Sequence, residues 1–369
     1  MVTNVTRQPP TRNGRADAVD RHHVTLEDVA HRADVSLATA SRVLNGDGTR
    51  PVGATLRERV LAAAEALHYT PNAHAQALAA GASTTVGLIT HDVSDPYFAA
   101  IARGSMRVAA YQGILVVLAS TLRHPERELA YVSALHAQRA KAILLIGSGF
   151  DDEAYVSRMR RELDAYADTG GRVAMVSQHD LPFDAVLPAN REGASALAQA
   201  LLDLGHRSGA LITGPRALTT VAHRVEAFCD TFAAGGGAVA ADQIVEADFS
   251  QDGGYTATLE LLARGLTSTV LFCASDVMAI GALQALRERG IRVPEELSVV
   301  GFDDIPIVRQ LTPPLSTVAL PMEEMGEQVM SMALGPPSAE PRVHVAPATV
   351  VLRGTTAPPP QTPRDRTPQ

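Results

Sequence analysis

The chain has 369 residues, 46% hydrophobic and 20% charged, the profile of a globular protein long enough for two or three domains, each with its own core. No apolar run reaches the ~18 residues of a membrane span. The polar N-terminus lacks the apolar core of a secretory signal, and two cysteines exclude a disulfide framework or thiolate metal cluster. The formal net charge of −8 opposes the phosphate attraction on which nucleic-acid binders draw, and up to Gly81 nine arginines against eight acids leave only +1.

Residues 1–22 are polar, rich in Arg and Pro and without periodicity, which predicts a disordered arm. From Val24 to Asn45 the sequence VTLEDVAHRADVSLATASRVLN reads as two short helices joined by a tight turn. Leu26, Val29, Ala30 and Ala33 recur at helical spacing, as do Leu37, Ala40, Val43 and Leu44. Thr25 and Ser36 stand where N-caps are wanted, and Ala30 is small where the helices must cross. A compact helix pair with a capped second helix is the form that enters a major groove. This stretch resembles the helix-turn-helix of the lactose/galactose repressor family. The match runs through Leu26-Glu27-Asp28-Val29-Ala30 and from Val35 to Asn45. Asp34 stands where the family usually has Gly, and Ala40 where it usually has Val; Asp tolerates the left-handed conformation that such a turn requires. The resemblance implies DNA contacts from Thr25, Ser36, Leu37, Ala38, Thr39, Ser41, Arg42 and Asn45.

Turn chemistry follows at residues 46–51, then a third helix over about 54–67, with Leu56, Val60, Leu61, Ala64 and Leu67 on one face. Gly53 is a weaker N-cap than the Ser usual in the family. Residues 23–69 therefore form the expected DNA-binding domain. Thr70 as N-cap, Pro71 at the first helical position and Gly81 past the end outline a further short helix. Through Tyr69, Pro71, Asn72 and Leu78 it resembles the family's hinge helix, placed at 70–82. That likeness implies DNA contacts from Tyr69, Asn72 and Leu78, with Leu78 as a minor-groove wedge.

From Thr84 short apolar strands alternate with amphipathic helices. Strands are predicted at 86–90, 114–119, 142–146, 173–177, 210–213, 270–273 and 298–301. Helices are predicted at about 97–112, 125–138, 152–168, 190–204, 222–234, 251–264, 276–289 and 322–333. Such alternation means parallel sheets covered on both faces, and its length calls for two Rossmann-like lobes. The family resemblance implies the same: an all-α headpiece followed, at 83–354, by a periplasmic-binding-protein-like α/β core with a cleft between its lobes. Residues 355–369 are predicted to be a disordered tail by their Pro-rich composition.

Ligands of parallel sheets bind at the carboxyl ends of strands. After the first strand stand Tyr97 and Phe98, suited to stacking on a ring, where the family has an aromatic pair. Arg224, in a stretch that resembles the family's RxxGF, offers a fork of donors to hydroxyls or a carboxylate. Thr220 lies just upstream, and Phe249 sits where the family often has a ligand-lining residue. Ser275 replaces the Asn of the family's ANDxMAxG, with Asp276 read as the N-cap of the next helix. Asp303, in VVGFDD, is the expected contact for a hydroxyl or ring nitrogen. Asn190 lacks the Asp that usually precedes it in the family, which weakens any role there. No catalytic constellation emerges: Gly147-Ser148-Gly149 follows a strand, but Asp152 stands where a nucleotide-binding GxGxxG needs its third Gly.

The expectation is a cytoplasmic, sequence-specific transcriptional regulator and not an enzyme, most often a repressor in this family. A small molecule in the core cleft, a sugar before a nucleoside, would control it. Expected partners are an inverted-repeat operator in double-stranded DNA and a second copy of the chain, as a homodimer or a tetramer; no metal, cofactor or membrane is expected. Two other readings are a solute-binding protein, opposed by the headpiece and the missing signal, and an enzyme on a doubly wound fold, opposed by the absent motifs.

Overall fold

The computed structural model describes residues 24–45, 52–70, 84–177 and 179–360. The expected arm, the turn at 46–51, the hinge helix with Asn72 and Leu78, and residues 361–369 lie outside the described residues. The chain divides into two compact units, Met1–Ala82 and Ser83–Gln369.

In the first unit, α1 (Leu26–Arg32), α2 (Leu37–Asn45) and α3 (Ala54–Ala66) close around Val29, Ala30, Ala33, Ala40, Val60, Ala63 and Ala64. Thr25 caps α1 reciprocally. Its hydroxyl accepts from the Asp28 amide at 3.3 Å, while the Asp28 carboxylate accepts from the Thr25 amide at 2.8 Å. Ser36 does the same work for α2, accepting from the Thr39 amide at 3.2 Å. Gly53 provides no side-chain cap for α3. Asp34 takes the left-handed conformation expected of it, with φ +51°. The stripe read on α3 needs correction: Leu56 and Leu61 are 38% and 45% exposed, and Val60, Ala63, Ala64 and Leu67 face the core. Leu61 lies about 100° of helix beyond Val60, on the side away from Ala63 and Leu67, which carries it off the buried face. His68, at φ +50°, ends the helix and returns the Tyr69 amide to the Ala64 carbonyl at 2.9 Å.

The second unit carries two parallel sheets. The first has the order β11-β5-β4-β3-β1-β2. It is built from β1 (Thr85–Thr90), β2 (Leu115–Ser120), β3 (Ala142–Ile146), β4 (Arg172–Val176), β5 (Asp184–Pro188) and β11 (Val343–Ala346). The second has the order β7-β6-β8-β9, from β6 (Ser208–Thr213), β7 (Ala238–Glu246), β8 (Val270–Cys273) and β9 (Ser298–Val300). Helices α4 (Pro96–Tyr111), α5 (Pro125–Ala137), α6 (Glu153–Asp168) and α11 (Met322–Leu334) belong to the first lobe. The second has α7 (Asn190–Asp203), α8 (Thr219–Ala234), α9 (Gln251–Ala263) and α10 (Asp276–Glu288). Strand β3, AILLI, is buried along its whole length, as a central strand covered on both faces must be.

The chain passes between lobes after β5, returns from β10 (Thr317–Ala319) through α11 to β11, and leaves again into β12 (Thr349–Val351), which pairs antiparallel with β10. Gly104 of α4 and Gly326 of α11 lie against each other's helix backbones, at Glu323 and Ile101 respectively, where a Cβ would not fit. The strands missing from the sequence reading are sheet edges (β7, β11), three-residue crossover pieces (β10, β12) and β5, whose apolar run is only the three residues between Asp184 and Pro188. These are too short or too polar to produce a buried-strand signal. Helix α8 starts at Thr219, three residues before its expected start.

The tail prediction is corrected between 355 and 360. Thr355 is fully buried, donating its hydroxyl to the Val299 carbonyl at 2.7 Å and accepting from the Ser316 amide at 2.8 Å. The Ala357 carbonyl accepts from His206 at 3.0 Å. Composition alone could not register this, because side chains from elsewhere satisfy the strap's backbone. No helix of the described residues is long and apolar enough to cross a membrane.

Candidate functional site

Both sheets turn their carboxyl ends toward one cleft, which holds about 450 Å³ of space between atoms, mouth included. From the first lobe it is lined by His91, Asp95, Tyr97, Phe98, Arg123, Ser148 and Ser177. From the second come Leu218, Thr220, Arg224, Phe249 and Asp303. Of the expected ligand residues, Tyr97, Phe98, Thr220, Arg224, Phe249 and Asp303 therefore come together.

Asp95 caps α4 by accepting from the Tyr97 amide at 3.0 Å, which sets the two aromatic rings at the mouth of the helix. They meet edge to face, centroids 5.0 Å apart, and Phe98 also packs against His91 at 5.7 Å. Phe98 is buried, so it is a wall of the cleft and part of the core at once. Opposite stands Arg224, wholly enclosed. Its Nε donates to Asn190 Oδ1 at 2.9 Å, one terminal nitrogen to the Ala274 carbonyl at 2.7 Å, and the other to Asp303 Oδ1 at 2.7 Å. The guanidinium lies 3.8 Å above the Phe302 ring. Asn190, weakened in the sequence reading, is thus the residue that orients Arg224.

Asp303 sits at φ +115°, an unusual conformation for a residue with a Cβ. Its amide bonds the Val318 carbonyl at 2.8 Å and its carbonyl receives Leu320 N–H at 3.3 Å, so the strained residue is pinned to β10 and its carboxylate is aimed at Arg224. Burial pushes the Asp303 carboxyl up to about 7, with Arg224 pulling it back. Burial also lowers His91 to about 3 and His179, behind it, to about 4, so both imidazoles are neutral near pH 7.

Ser275 is corrected. It does not line the cleft; its hydroxyl accepts from the Met278 amide and caps α10, the role read for Asp276. The latter's carboxylate is buried, accepting from the Ile305 amide at 2.9 Å and Thr317 Oγ1 at 2.6 Å. The cap is Ser275 and not Asp276 because the capping residue is the one whose backbone is still extended. His91, Asp95, Arg123, Ser148 and Ser177 were not assigned from sequence. Their signal was position: His91, Ser148 and Ser177 follow directly or nearly so on β1, β3 and β4. The lobes meet beside the cleft, where the Thr219 amide donates to the Gly149 carbonyl at 3.2 Å and Asp151 N–H to the Ala217 carbonyl at 2.9 Å.

In the headpiece, Leu37 is 52% exposed and Ala38 is exposed at the start of α2. Arg42 is half-buried, with its Nε on the Ala38 carbonyl at 3.2 Å. Thr39 Oγ1 pairs with the Ser36 hydroxyl at 2.8 Å, and Ser41 is half-buried. Asn45 is the last residue of α2. Tyr69 packs partly buried against the headpiece core.

Two family models match the chain: bacterial regulatory proteins, lacI family, over residues 25–72, and a periplasmic binding protein-like domain over 198–356. The HTH-type transcriptional regulator DegA of Bacillus subtilis is 32% identical over 340 residues, covering 90% of this chain and 98% of that protein. The HTH-type transcriptional repressor PurR of Erwinia tasmaniensis is 33% identical over 312 residues, covering 84% of this chain and 89% of that protein. Among solved structures, the lac repressor dimer bound to operator and the anti-inducer ONPF is 26% identical, with TM-score 0.74 over 90% of this chain and 99% of that one. A CelR–cellobiose complex is 29% identical, with TM-score 0.64 over the same shares. The chain belongs to the lacI family of bacterial regulatory proteins and is a DNA-binding transcriptional regulator.

Proposed function

We propose that this regulator is a repressor, not an enzyme, that holds an inverted-repeat operator as a homodimer and responds to a sugar in the cleft between its lobes. The observation that carries the reading is the joining, in one chain, of a capped recognition helix with a cleft built for a ring bearing hydroxyls. That cleft offers aromatic faces at Tyr97, Phe98 and Phe249, hydroxyls at Ser148, Ser177 and Thr220, and the Arg224–Asp303 pair. Similar solved structures hold cellobiose and ribose. Edge strand β2 supports the second copy: Leu115 is 64% exposed, Val117 and Leu118 are exposed, and Tyr111 just before the strand is 85% exposed. An unpaired apolar edge is a surface that a partner covers. In the headpiece, Leu37 and Ala38 suit a thymine methyl and Arg42 can fork to guanine.

Operator binding by the full chain, followed by fluorescence anisotropy against salt and against a sugar panel, tests this. The expected result is a specific complex whose affinity falls as salt rises and falls again when a sugar that raises the melting temperature is added. Arg42→Ala should cost ~1–3 kcal/mol and relax sequence preference. An equal loss on every sequence makes Arg42 a phosphate contact. A chain that binds sugar but no duplex at low salt defeats the repressor reading.

A further inference from the structure

The strained end of the VVGFDD segment is held from outside the cleft. Asp303 and Asp304 are consecutive residues with side chains, at φ +115° and +58°. Such a pair persists only where its surroundings fix it. Asp303 lines the cleft and pairs with Arg224; Asp304, also buried, is absent from the lining. The Asp304 carboxylate lies between two guanidiniums, with Arg353 at 2.8 Å from Oδ1 and Arg309 at 2.8 Å from Oδ2. Burial alone would raise this carboxyl, but Arg353 and Arg309 hold it below its usual range, so it is ionised near pH 7. The two cations differ in setting. The Arg309 side chain is 63% exposed and Arg353 only 16%, so the Arg353 contact is the less screened.

Arg353 also grips the other side of the same loop. Its Nη1 donates to the Leu315 carbonyl at 2.8 Å, and its amide to the Ser316 hydroxyl at 2.7 Å. Those residues lead into β10, whose Val318 carbonyl takes the Asp303 amide. Two residues beyond Arg353, the Thr355 hydroxyl ties the Val299 carbonyl of β9 to the Ser316 amide. The strand before Asp303, the residue after it and the strand that receives its amide are thus joined through Arg353 and the strap.

We propose that Arg353 is a positioning residue for effector binding: it touches no ligand, but through Asp304 and β10 it fixes the left-handed step that aims the Asp303 carboxylate into the cleft. This rests on the reading of Asp303 as a ligand contact. With the step loosened, Asp303 and the Arg224 it holds lose their fixed geometry, and binding must first restore it.

Calorimetry on the full chain tests this with ribose, galactose, glucose, cellobiose, adenosine and guanosine, followed by variants titrated with whichever of these binds. Arg353→Ala should weaken that compound by about tenfold or more. Arg353→Lys keeps a cation for Asp304 while giving up the fork, and should recover affinity to within about threefold of the parent. Asp304→Asn tolerates the left-handed backbone but loses both ion pairs, and should reproduce the loss. A folding defect lowers the fraction of chains that bind, whereas a positioning defect lowers the affinity of each. In an Asp303→Asn background Arg353→Ala should cost almost nothing further, because the carboxylate it aims is gone. Losses that multiply in the double variant, or a compound bound equally by the parent and Arg353→Ala, overturn the proposal and leave the reading of Asp303 standing. If none of the six compounds binds the parent, the reading of Asp303 falls and the proposal with it.

Discussion

At the scale of single residues, the Arg224–Asp303 pair couples ligand recognition to stability. Read from sequence, Asp303→Ala is a clean loss of ligand contact. In the fold it strands a guanidinium that is 2% exposed, so about 3–5 kcal/mol of stability should go with it. Asp303→Asn keeps an acceptor and tolerates the left-handed backbone. It should melt closer to the parent while still losing ligand, and equal melting temperatures for both variants would place the pair outside the stability of the core. Glu128 offers a second test. It is buried in α5 and accepts from the Tyr155 hydroxyl at 2.8 Å, and burial raises it to about 7. A carboxyl raised above its unfolded value of 4.5 supports the fold fully below that pH, and the support is lost as pH rises through about 7. Glu128→Gln imitates the protonated acid. It should match the parent in urea melts at pH 4.5 and exceed it at pH 8 by up to about 3 kcal/mol. His91 and His179, lowered by burial, act oppositely and cost stability as pH falls below 6.5, so the variant comparison isolates Glu128 from the total slope.

At the scale of elements, the turn between α1 and α2 is held from outside. Arg59, on α3, donates to the Ala33 carbonyl at 2.5 Å and the Asp34 carbonyl at 3.1 Å, taking up acceptors that the end of α1 leaves open. Its ion pair with the Asp34 carboxylate, at 3.4 Å and exposed, adds little. Arg59→Ala should therefore cost about 1–2 kcal/mol in headpiece unfolding. Asp34→Gly should stay within about 1 kcal/mol of the parent, since relief of the left-handed backbone offsets the lost pair. A larger loss in Asp34→Gly than in Arg59→Ala would make the carboxylate, not the carbonyls, the anchor.

At the scale of the whole molecule, operator and effector must be coupled through residues 70–82, which we propose as a hinge that folds only on DNA. A helix of this length is below the ~12–15 residues that are marginal alone in water. Its apolar stripe of Ala75, Leu78 and Ala79 is thin, and the stretch from Pro71 to Ala80 has no lysine or arginine. Hydrogen exchange on the dimer should show slow amides from Ala75 to Ala79 only with operator present, and Leu78→Ser should abolish the bend it wedges open. Equal protection with and without operator means a preformed linker and no such switch.

How much was legible follows from how local each signal is. Thr25, Ser36 and Asp34 act on amides and turns a few residues away, so their roles in the headpiece could be read directly. The buried strands β1, β3 and β8 announce themselves by unbroken apolar runs, and with the helices between them they determined two parallel lobes. Edge strands β7 and β11 carry no such run, because only a buried strand needs one. The same locality explains the site. Tyr97, Arg224 and Asp303 follow strands, which put them at the carboxyl ends. Whether Ser275 or Asp276 caps α10, what Asn190 holds, and that His91 faces Asp303's lobe depend on backbone angles and on chain brought from the other sheet. The sequence by itself determined the DNA-binding headpiece, the two-lobed core and six of the residues that line the cleft. The tertiary structure alone decided which polar groups are consumed by one another and which are left for a ligand, because hydrogen bonding is settled between residues far apart in the chain.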